Sequence, residues 1–129
     1  MPKFHNYFDI KWLVIAVAFT AIILLLTHIP KEAIPPRLQE NSHDKFHHVV
    51  AYGAITFLFI LSVKVSSTPL LFSLLFFAIL AIGIVDEVTQ PLVNRTASFT
   101  DLVANVIGIA TGLLFFVVGK RRFQKTRTE

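Results

Sequence analysis

The sequence predicts an all-α integral membrane protein, a bundle of four transmembrane helices that forms a single domain over residues 1–129. Three observations lead to this fold class. Hydrophobic residues make up 54% of the chain and charged residues only 16%, which is too little polar surface for a water-soluble domain. Four apolar runs of 15 to 18 residues alternate with polar segments. Prolines, glycines and capping residues stand at the ends of those runs.

Each apolar run is long enough to be a membrane helix. At about 1.5 Å per residue, a run with its flanking residues crosses a hydrocarbon core of about 30 Å. Thr68 before Pro69 predicts the start of the third helix, and Ser98 with Asp101 predicts a capping box at the start of the fourth. The predicted helices lie at approximately 12–28, 46–63, 69–90 and 100–118.

The distribution of basic residues predicts the orientation. Eight Lys and Arg residues flank the side that holds both termini and the short second loop, against four on the other side. The positive-inside rule therefore places both termini in the cytoplasm and the two longer connections outside. The basic segment "GKRRFQKTR" indicates an anchor at the anionic membrane surface, so the expected partner is the lipid bilayer and no nucleic acid. The segment after the first helix lacks a small-residue cleavage pattern, which favours a retained helix over a signal peptide.

Polar residues gather near the helix ends on the predicted outer side. Asp44, His48 and Tyr52 are spaced by four and form one stripe on the second helix. Glu87 and Gln90 follow Gly83 on the third helix, and the fourth helix carries a comparable stripe, Asp101, Asn105, Gly108 and Gly112. A charge near the bilayer centre costs about 2.5–3.5 kcal/mol, so such stripes face the bundle interior. The sequence therefore predicts a polar pocket at the extracytoplasmic face.

Adjacent residues on a helix diverge by about 100°, so Asp86 and Glu87 are predicted to have separate positions. Glu87 lies on the stripe and is predicted to face the pocket. Asp86 is predicted to lie at the rim, close to Arg95, Lys45 or water. Gly108 and Gly112 form a small-xxx-small pattern and are predicted to let two helices approach closely.

Three segments in this order, "DKFHHVVAY", "DEVTQ" and "RTASFTDLVANVIGIATG", resemble the VanZ-like family of small bacterial membrane proteins. That family is named for a protein linked to resistance to the lipoglycopeptide teicoplanin. The joint order and spacing across about 70 residues are specific, although Val93 and Asn94 stand where the family often has Pro-Gly. The resemblance implies a multi-pass protein of the bacterial cell membrane and no settled biochemical activity. The residues that match are Asp44, Lys45, His48, Tyr52, Asp86, Glu87, Gln90, Arg95, Ser98, Asp101, Asn105, Gly108 and Gly112.

The favoured function is the binding of an envelope lipid, a glycan precursor or a lipoglycopeptide, with a contribution to teicoplanin resistance. The first alternative is a membrane-embedded hydrolase or transferase in which Glu87, Asp101 and His48 carry acid–base chemistry, since no Ser or Cys nucleophile motif is present. The second is an accessory protein whose polar residues only hold the helices together. The oligomeric state is not predicted. The predicted ligand-binding residues are Asp44, Lys45, His48, Tyr52, Asp86, Glu87, Gln90, Arg95, Asp101 and Asn105.

No cofactor is expected. His47 and His48 beside carboxylates make a divalent metal ion a less favoured alternative, because no HExxH-like local motif supports it and Lys45 and Arg95 already offer positive charge. The chain has no cysteine, which excludes disulfides and thiolate metal sites.

Overall fold

The computed structural model describes residues 8–35, 44–63 and 69–125. These residues form helices with one isolated antiparallel bridge, between Phe8 and Val63, and no strand lies within them. All four main helices are long and apolar enough to cross a membrane, with mean hydropathies between 1.3 and 2.4. The prediction of an all-α chain with four helices able to span a membrane is confirmed for the described residues, and the orientation of the termini and the extracytoplasmic pocket stay predictions. The helices are α1 (Ile10–Thr27), α2 (Asp44–Ser62), α3 (Pro69–Thr89) and α4 (Phe99–Lys125), with short 3₁₀ helices at Lys31–Ala33 and Gln90–Val93.

The helix ends differ from the predicted ones mainly in α4. This helix continues through Gly119 to Lys125, whereas the prediction ended it at 118. The residues after Gly119 are mostly Lys, Arg and Gln, which are good helix formers and extend the helix beyond its apolar part. The predicted cap of α3 at Thr68 lies outside the described residues.

The turn after α3 is built around Asn94. A 3₁₀ helix at Gln90–Val93 follows α3, and Asn94 then has φ 58° and ψ 30°, in the left-handed region. Among residues other than glycine, asparagine is one of those that adopt this conformation most readily. Asn94 can therefore make the turn at the position where the VanZ-like pattern often has glycine.

Helix α2 lies at the centre of the bundle and makes its most extensive contact with α4. Two glycines of α4 allow this approach: a Cβ added to Gly108 would stand 2.5 Å from the Val49 carbonyl oxygen, and one on Gly112 would stand 2.6 Å from the Gly53 carbonyl oxygen. Tyr52, Ile55, Ile79 and Ile109 form the buried apolar core beside this contact. Many other large apolar side chains are exposed on the outer surface of the bundle, as expected where lipid covers it.

The first helix is fixed to the end of α2. The backbone N–H of Asp9 donates to the Ser62 carbonyl at 2.7 Å, and the Asp9 carboxylate caps α1 by accepting from the Lys11 N–H at 3.0 Å. These contacts place the N-terminus of α1 beside the C-terminus of α2. The C-terminus of α1 consequently reaches the opposite end of the bundle, where the polar residues lie.

Candidate functional site

The predicted polar residues of α2, α3 and α4 meet at one end of the bundle. The C-terminal ends of α1 and α3 and the N-terminal ends of α2 and α4 lie there together, as the hydrogen bonds between them show. Six polar side chains at this end are buried: His48, Asp86, Glu87, Gln90, Asp101 and Asn105. We call four of them, His48, Asp86, Glu87 and Asn105, the inner cluster.

Asp86 lies in the bundle interior. It is 1% exposed, its Oδ2 accepts a hydrogen bond from the Tyr52 hydroxyl at 3.0 Å, and its Oδ1 accepts one from the Thr27 hydroxyl at 2.6 Å. The prediction that Asp86 lies at the rim is therefore wrong. Asp86 and Glu87 point about 100° apart around the axis of α3, yet both are buried. Helices α1 and α2 cover the side of α3 that carries Asp86, and the start of α4 covers the side that carries Glu87.

Glu87 connects α3 to the start of α4. It is 4% exposed, and its Oε2 accepts the backbone N–H of Ser98 at 3.2 Å. Gln90 donates a long hydrogen bond of 3.4 Å to the other oxygen, Oε1. The predicted capping box assigned the Ser98 N–H to the Asp101 side chain, and Glu87 accepts it instead. A carboxylate at the first turn of α4 also interacts favourably with the helix dipole.

His48 and Asn105 join α2 to α4 in the centre of this region. His48 Nδ1 lies 2.9 Å from Asn105 Oδ1, and it donates the hydrogen bond when it carries the proton. The same Nδ1 lies 3.7 Å from Glu87 Oε1. Asn105 is fully buried, and its Nδ2 has no hydrogen-bond partner within residues 8–35, 44–63 and 69–125. A buried amide donor without a partner is uncommon in native structures, so this position calls for an explanation.

Asp44, Arg95 and Lys45 lie further out. An Arg95 guanidinium nitrogen lies 3.9 Å from Asp44 Oδ1. The two side chains thus form an ion pair, but this distance is too long for a hydrogen bond. Lys45 is exposed. Asp101 is buried one helical turn before Asn105, and it can approach both Asp44 and His48 to within 4.8 Å.

Helix α1 contributes two polar residues that the sequence pattern did not predict. Thr27 binds Asp86, and His28 Nε2 lies 2.8 Å from the Thr89 hydroxyl while its Nδ1 lies 2.8 Å from the Leu24 carbonyl oxygen. His28 Nδ1 is also 3.5 Å from Asp86 Oδ1. Their position in the sequence could have indicated them, because Thr27 and His28 follow the first apolar run on the same predicted side of the membrane as the other polar residues. Helical spacing could not reveal them, because they form no stripe along α1.

A cavity of about 450 Å³ opens beside the inner cluster, along α1 and α2. Its lining is divided between a polar set and an apolar set. Tyr52 and His48 belong to both the cavity wall and the polar interior, whereas Lys45 does not line the cavity. The polar lining residues are Thr27, Asp44, His47, His48, Tyr52 and Arg95, and the apolar ones are Phe19, Ile23, Leu26, Ile34, Phe46, Val50, Ala51 and Ala54.

Two groups of side chains have the composition of metal-binding sets. His48, Asp86 and Glu87 can each place one ligand atom within 4.8 Å of the others, and all three residues are buried. Asp44, His48 and Asp101 form the second such group. His48 belongs to both, so the two groups share one imidazole.

No protein-family model, curated protein or solved structure matches this chain in comparisons of sequence and fold. The VanZ-like resemblance thus rests on the three sequence motifs.

Proposed function

We propose that this chain is a bacterial multi-pass membrane protein of the VanZ-like family that binds an anionic amphiphile of the cell envelope in the cavity along α1 and α2. In this proposal both termini lie in the cytoplasm and the polar end of the cavity faces outward. The observation that carries the proposal is the divided lining of the cavity, with ionisable groups in one set of side chains and hydrocarbon in the other.

The apolar part of the lining suits an acyl or polyprenyl chain. It consists of aliphatic and phenyl groups from α1 and α2, including Phe19, Ile23 and Ala51. The volume of about 450 Å³ lies within the range of small-molecule sites in proteins, and such sites are mostly apolar with a few polar groups that fix orientation. A single-chain segment of a lipid fits this description better than a wholly polar metabolite does.

The polar part of the lining suits a phosphate or carboxylate head group. Arg95 lines the cavity, and its one ion pair among the described residues, with Asp44, is long at 3.9 Å. Guanidinium donors that are not committed to a close carboxylate can bind a phosphate or carboxylate in the bidentate manner that arginine favours. His47 and His48 add imidazole donors on the same wall.

This head-group chemistry is shared by envelope lipids, lipid-linked glycan precursors and acylated glycopeptides. The resemblance to the VanZ-like family supports the last two, and with them a contribution to teicoplanin resistance. The first experiment therefore identifies the source: the protein is purified in mild detergent, bound lipids are extracted and identified by mass spectrometry, and teicoplanin binding is measured on the delipidated protein.

Arg95→Gln and Lys45→Gln form a matched pair for this test. Each removes one positive charge from the same end of the bundle, but only Arg95 lines the cavity. We expect Arg95→Gln to weaken amphiphile binding about tenfold or more, which corresponds to the loss of one charge-assisted hydrogen bond, and Lys45→Gln to bind as the wild type does. Equal binding by both variants, or a wild-type protein that retains no amphiphile, would contradict the proposal.

A second candidate function, a hydrolase or transferase acting on the same class of ligand, is favoured by one specific contact. His48 lines the cavity and its Nδ1 lies 3.7 Å from the buried Glu87, so an imidazole and a carboxylate are adjacent at the cavity wall. Such a pair can move a proton to or from a bound substrate. Incubation of pure protein with labelled envelope lipids tests this candidate, and it requires turnover that Glu87→Gln abolishes.

The hypothesis that the polar residues only hold the helices together makes a different prediction. Under it, Glu87→Gln and Asp101→Asn lower the stability of the bundle in detergent, while the protein that remains folded binds its ligand normally. If the ligand proposal holds, a folded variant of a cavity-lining residue, Arg95→Gln, loses ligand binding. Measuring both unfolding and binding on the same preparations separates the two.

A further inference from the structure

We propose that the inner cluster is a binding site for a divalent transition-metal cation, with His48, Asp86 and Glu87 as ligands and the Asn105 amide beside them. This inference goes beyond the proposed function, since it concerns the interior of the bundle and needs no amphiphile. The proposal starts from geometry: the three side chains come from α2 and α3, are all buried, and can place one ligand atom each within 4.8 Å of the others.

The charge of this region favours a cation. Two carboxylates lie in the interior, and their ion-pair partners among the described residues are both histidines: His28 at 3.5 Å from Asp86 and His48 at 3.7 Å from Glu87. An uncompensated carboxylate in a low-dielectric interior is costly, and buried carboxylates are normally paired or coordinate metals. A divalent cation between the two would balance both charges at once.

Asn105 provides a second, independent observation. Its side chain is fully buried, and no described residue accepts a hydrogen bond from its Nδ2, whereas its Oδ1 lies 2.9 Å from His48 Nδ1. Nδ2 faces α3 beside Gly83, one turn before Glu87: a Cβ added to Gly83 would stand 3.3 Å from it. An anionic oxygen ligand that accompanies a cation in the inner cluster, such as hydroxide or carbonate, would accept a hydrogen bond from this amide. The unpaired donor thus points to a ligand that the protein itself does not supply.

The distances suit a single ion. Two ligands at about 2.1 Å from one cation stand about 3.0 Å apart when they are at right angles and about 4.2 Å apart when they are opposite. The separation of His48 Nδ1 and Glu87 Oε1 is 3.7 Å, which falls within this range, and one ligand atom of Asp86 lies within 4.8 Å of the other two ligand residues. Small side-chain movements therefore bring the three ligand atoms to one ion.

The carboxylates are also held as metal ligands usually are. Hydroxyl groups of Thr27 and Tyr52 donate to the two oxygens of Asp86, and the Ser98 N–H donates to Glu87 Oε2, which leaves Oε1 directed at His48. Such supporting hydrogen bonds orient the ligands of metal sites. The ligand set is one imidazole and two carboxylates without a thiolate, which suits Zn²⁺ or Mn²⁺ better than the soft metals.

The second group, Asp44, His48 and Asp101, is less suited. Asp44 is only half-buried, and the Arg95 guanidinium 3.9 Å away already supplies a positive charge. A cation there would compete with both water and arginine. The inner cluster, where no Lys or Arg within the described residues forms an ion pair with Asp86 or Glu87, is the stronger site.

The test uses the full chain in detergent. The wild type is purified without chelator and its metal content is measured by elemental mass spectrometry. It is then stripped with EDTA, and the melting temperature is followed during titration with Zn²⁺, Mn²⁺, Mg²⁺ or Ca²⁺. We expect Zn²⁺ or Mn²⁺ to raise the melting temperature saturably, since a ligand that binds only the folded state stabilises it. If no cation is retained and none raises the melting temperature at millimolar concentration, the proposal is overturned.

Variants then locate the site. We expect Glu87→Gln to weaken cation binding at least tenfold, whereas Thr89→Val, on the same end of α3 but hydrogen-bonded to His28, should bind like the wild type. Equal affinity of Glu87→Gln and wild type would overturn the assignment. If Glu87→Gln does not fold, electron paramagnetic resonance of Mn²⁺ on the wild type decides: coupling to one imidazole nitrogen supports the site, and its absence contradicts it.

Discussion

Replacing Gly108 by alanine is expected to force α2 and α4 apart. The added Cβ would stand 2.5 Å from the Val49 carbonyl oxygen and 3.0 Å from the Gly53 nitrogen, where ordinary contact begins at 3.4 Å. Both obstacles are backbone atoms, so no side-chain rotation relieves the clash. The two helices must move apart by several tenths of an ångström or more along their most extensive contact.

The magnitude follows from two opposing effects. Overpacking a well-packed interface costs about 1–3 kcal/mol, and sometimes more, while Gly to Ala in a helix returns at most about 1 kcal/mol. We expect Gly108→Ala to destabilise the bundle by about 1–2 kcal/mol. The separation would also stretch the contact between His48 Nδ1 and Asn105 Oδ1, now 2.9 Å, toward the limit of hydrogen-bonding distance.

Gly53→Ala is the matched control. Its Cβ would meet the Gly108 carbonyl oxygen at 3.3 Å, which a slight adjustment accommodates, so its stability should stay within about 1 kcal/mol of the wild type. The assay is reversible unfolding of the detergent-solubilised protein by titration with a denaturing detergent, followed by circular dichroism. If Gly108→Ala is as stable as Gly53→Ala, the close approach of α2 and α4 is not as described and the reasoning fails.

Three further predictions concern the polar end of the bundle and the orientation of the chain. Tyr52→Phe removes the donor to Asp86 Oδ2 and should lower the free energy of unfolding by about 1–2 kcal/mol in the same assay; an unchanged value would mean that this bond contributes nothing. His28→Leu breaks the contact with Thr89 that links α1 to α3 and should cost about 0.5–1.5 kcal/mol, with wild-type stability as the contrary result. A reporter fused after Thr128 should read as cytoplasmic and one inserted in the connection between α3 and α4 as extracytoplasmic; the reverse pattern would refute the charge-based orientation.

The sequence predicted most of the fold, because apolar length is a strong signal in a membrane protein. It also predicted that α2, α3 and α4 bring polar stripes to one end, since spacings of three and four fix which residues share a helix face. Spacing gives the angle between two residues but not the rotation of the helix in the bundle, which neighbouring helices determine. That is why Glu87 was expected to face the pocket and is buried without lining the cavity, while Asp86 was expected at the rim and is buried as well.

The contribution of α1 could not be predicted for a related reason. Thr27 and His28 are single polar residues at the end of an apolar helix, where a solvated boundary is the ordinary interpretation. Only the parallel arrangement of α1 and α3, with both C-terminal ends at the polar end of the bundle, brings Thr27 to Asp86 and His28 to Thr89. The extension of α4 to Lys125 was missed because the prediction followed the apolar run and ended with it.

The hydrogen bond from Thr27 on α1 to Asp86 on α3 joins residues 59 positions apart in the chain. If α3 enters a bilayer as it is synthesised, a carboxylate at its end that has no partner disfavours insertion. By then α1 and α2 are already made, and they hold the hydroxyl groups of Thr27 and Tyr52 that this carboxylate accepts from. The order of the helices along the chain thus provides both hydrogen-bond donors to Asp86 before Asp86 itself is made. A chain that lacked α1 would keep the Tyr52 donor and lose the Thr27 donor.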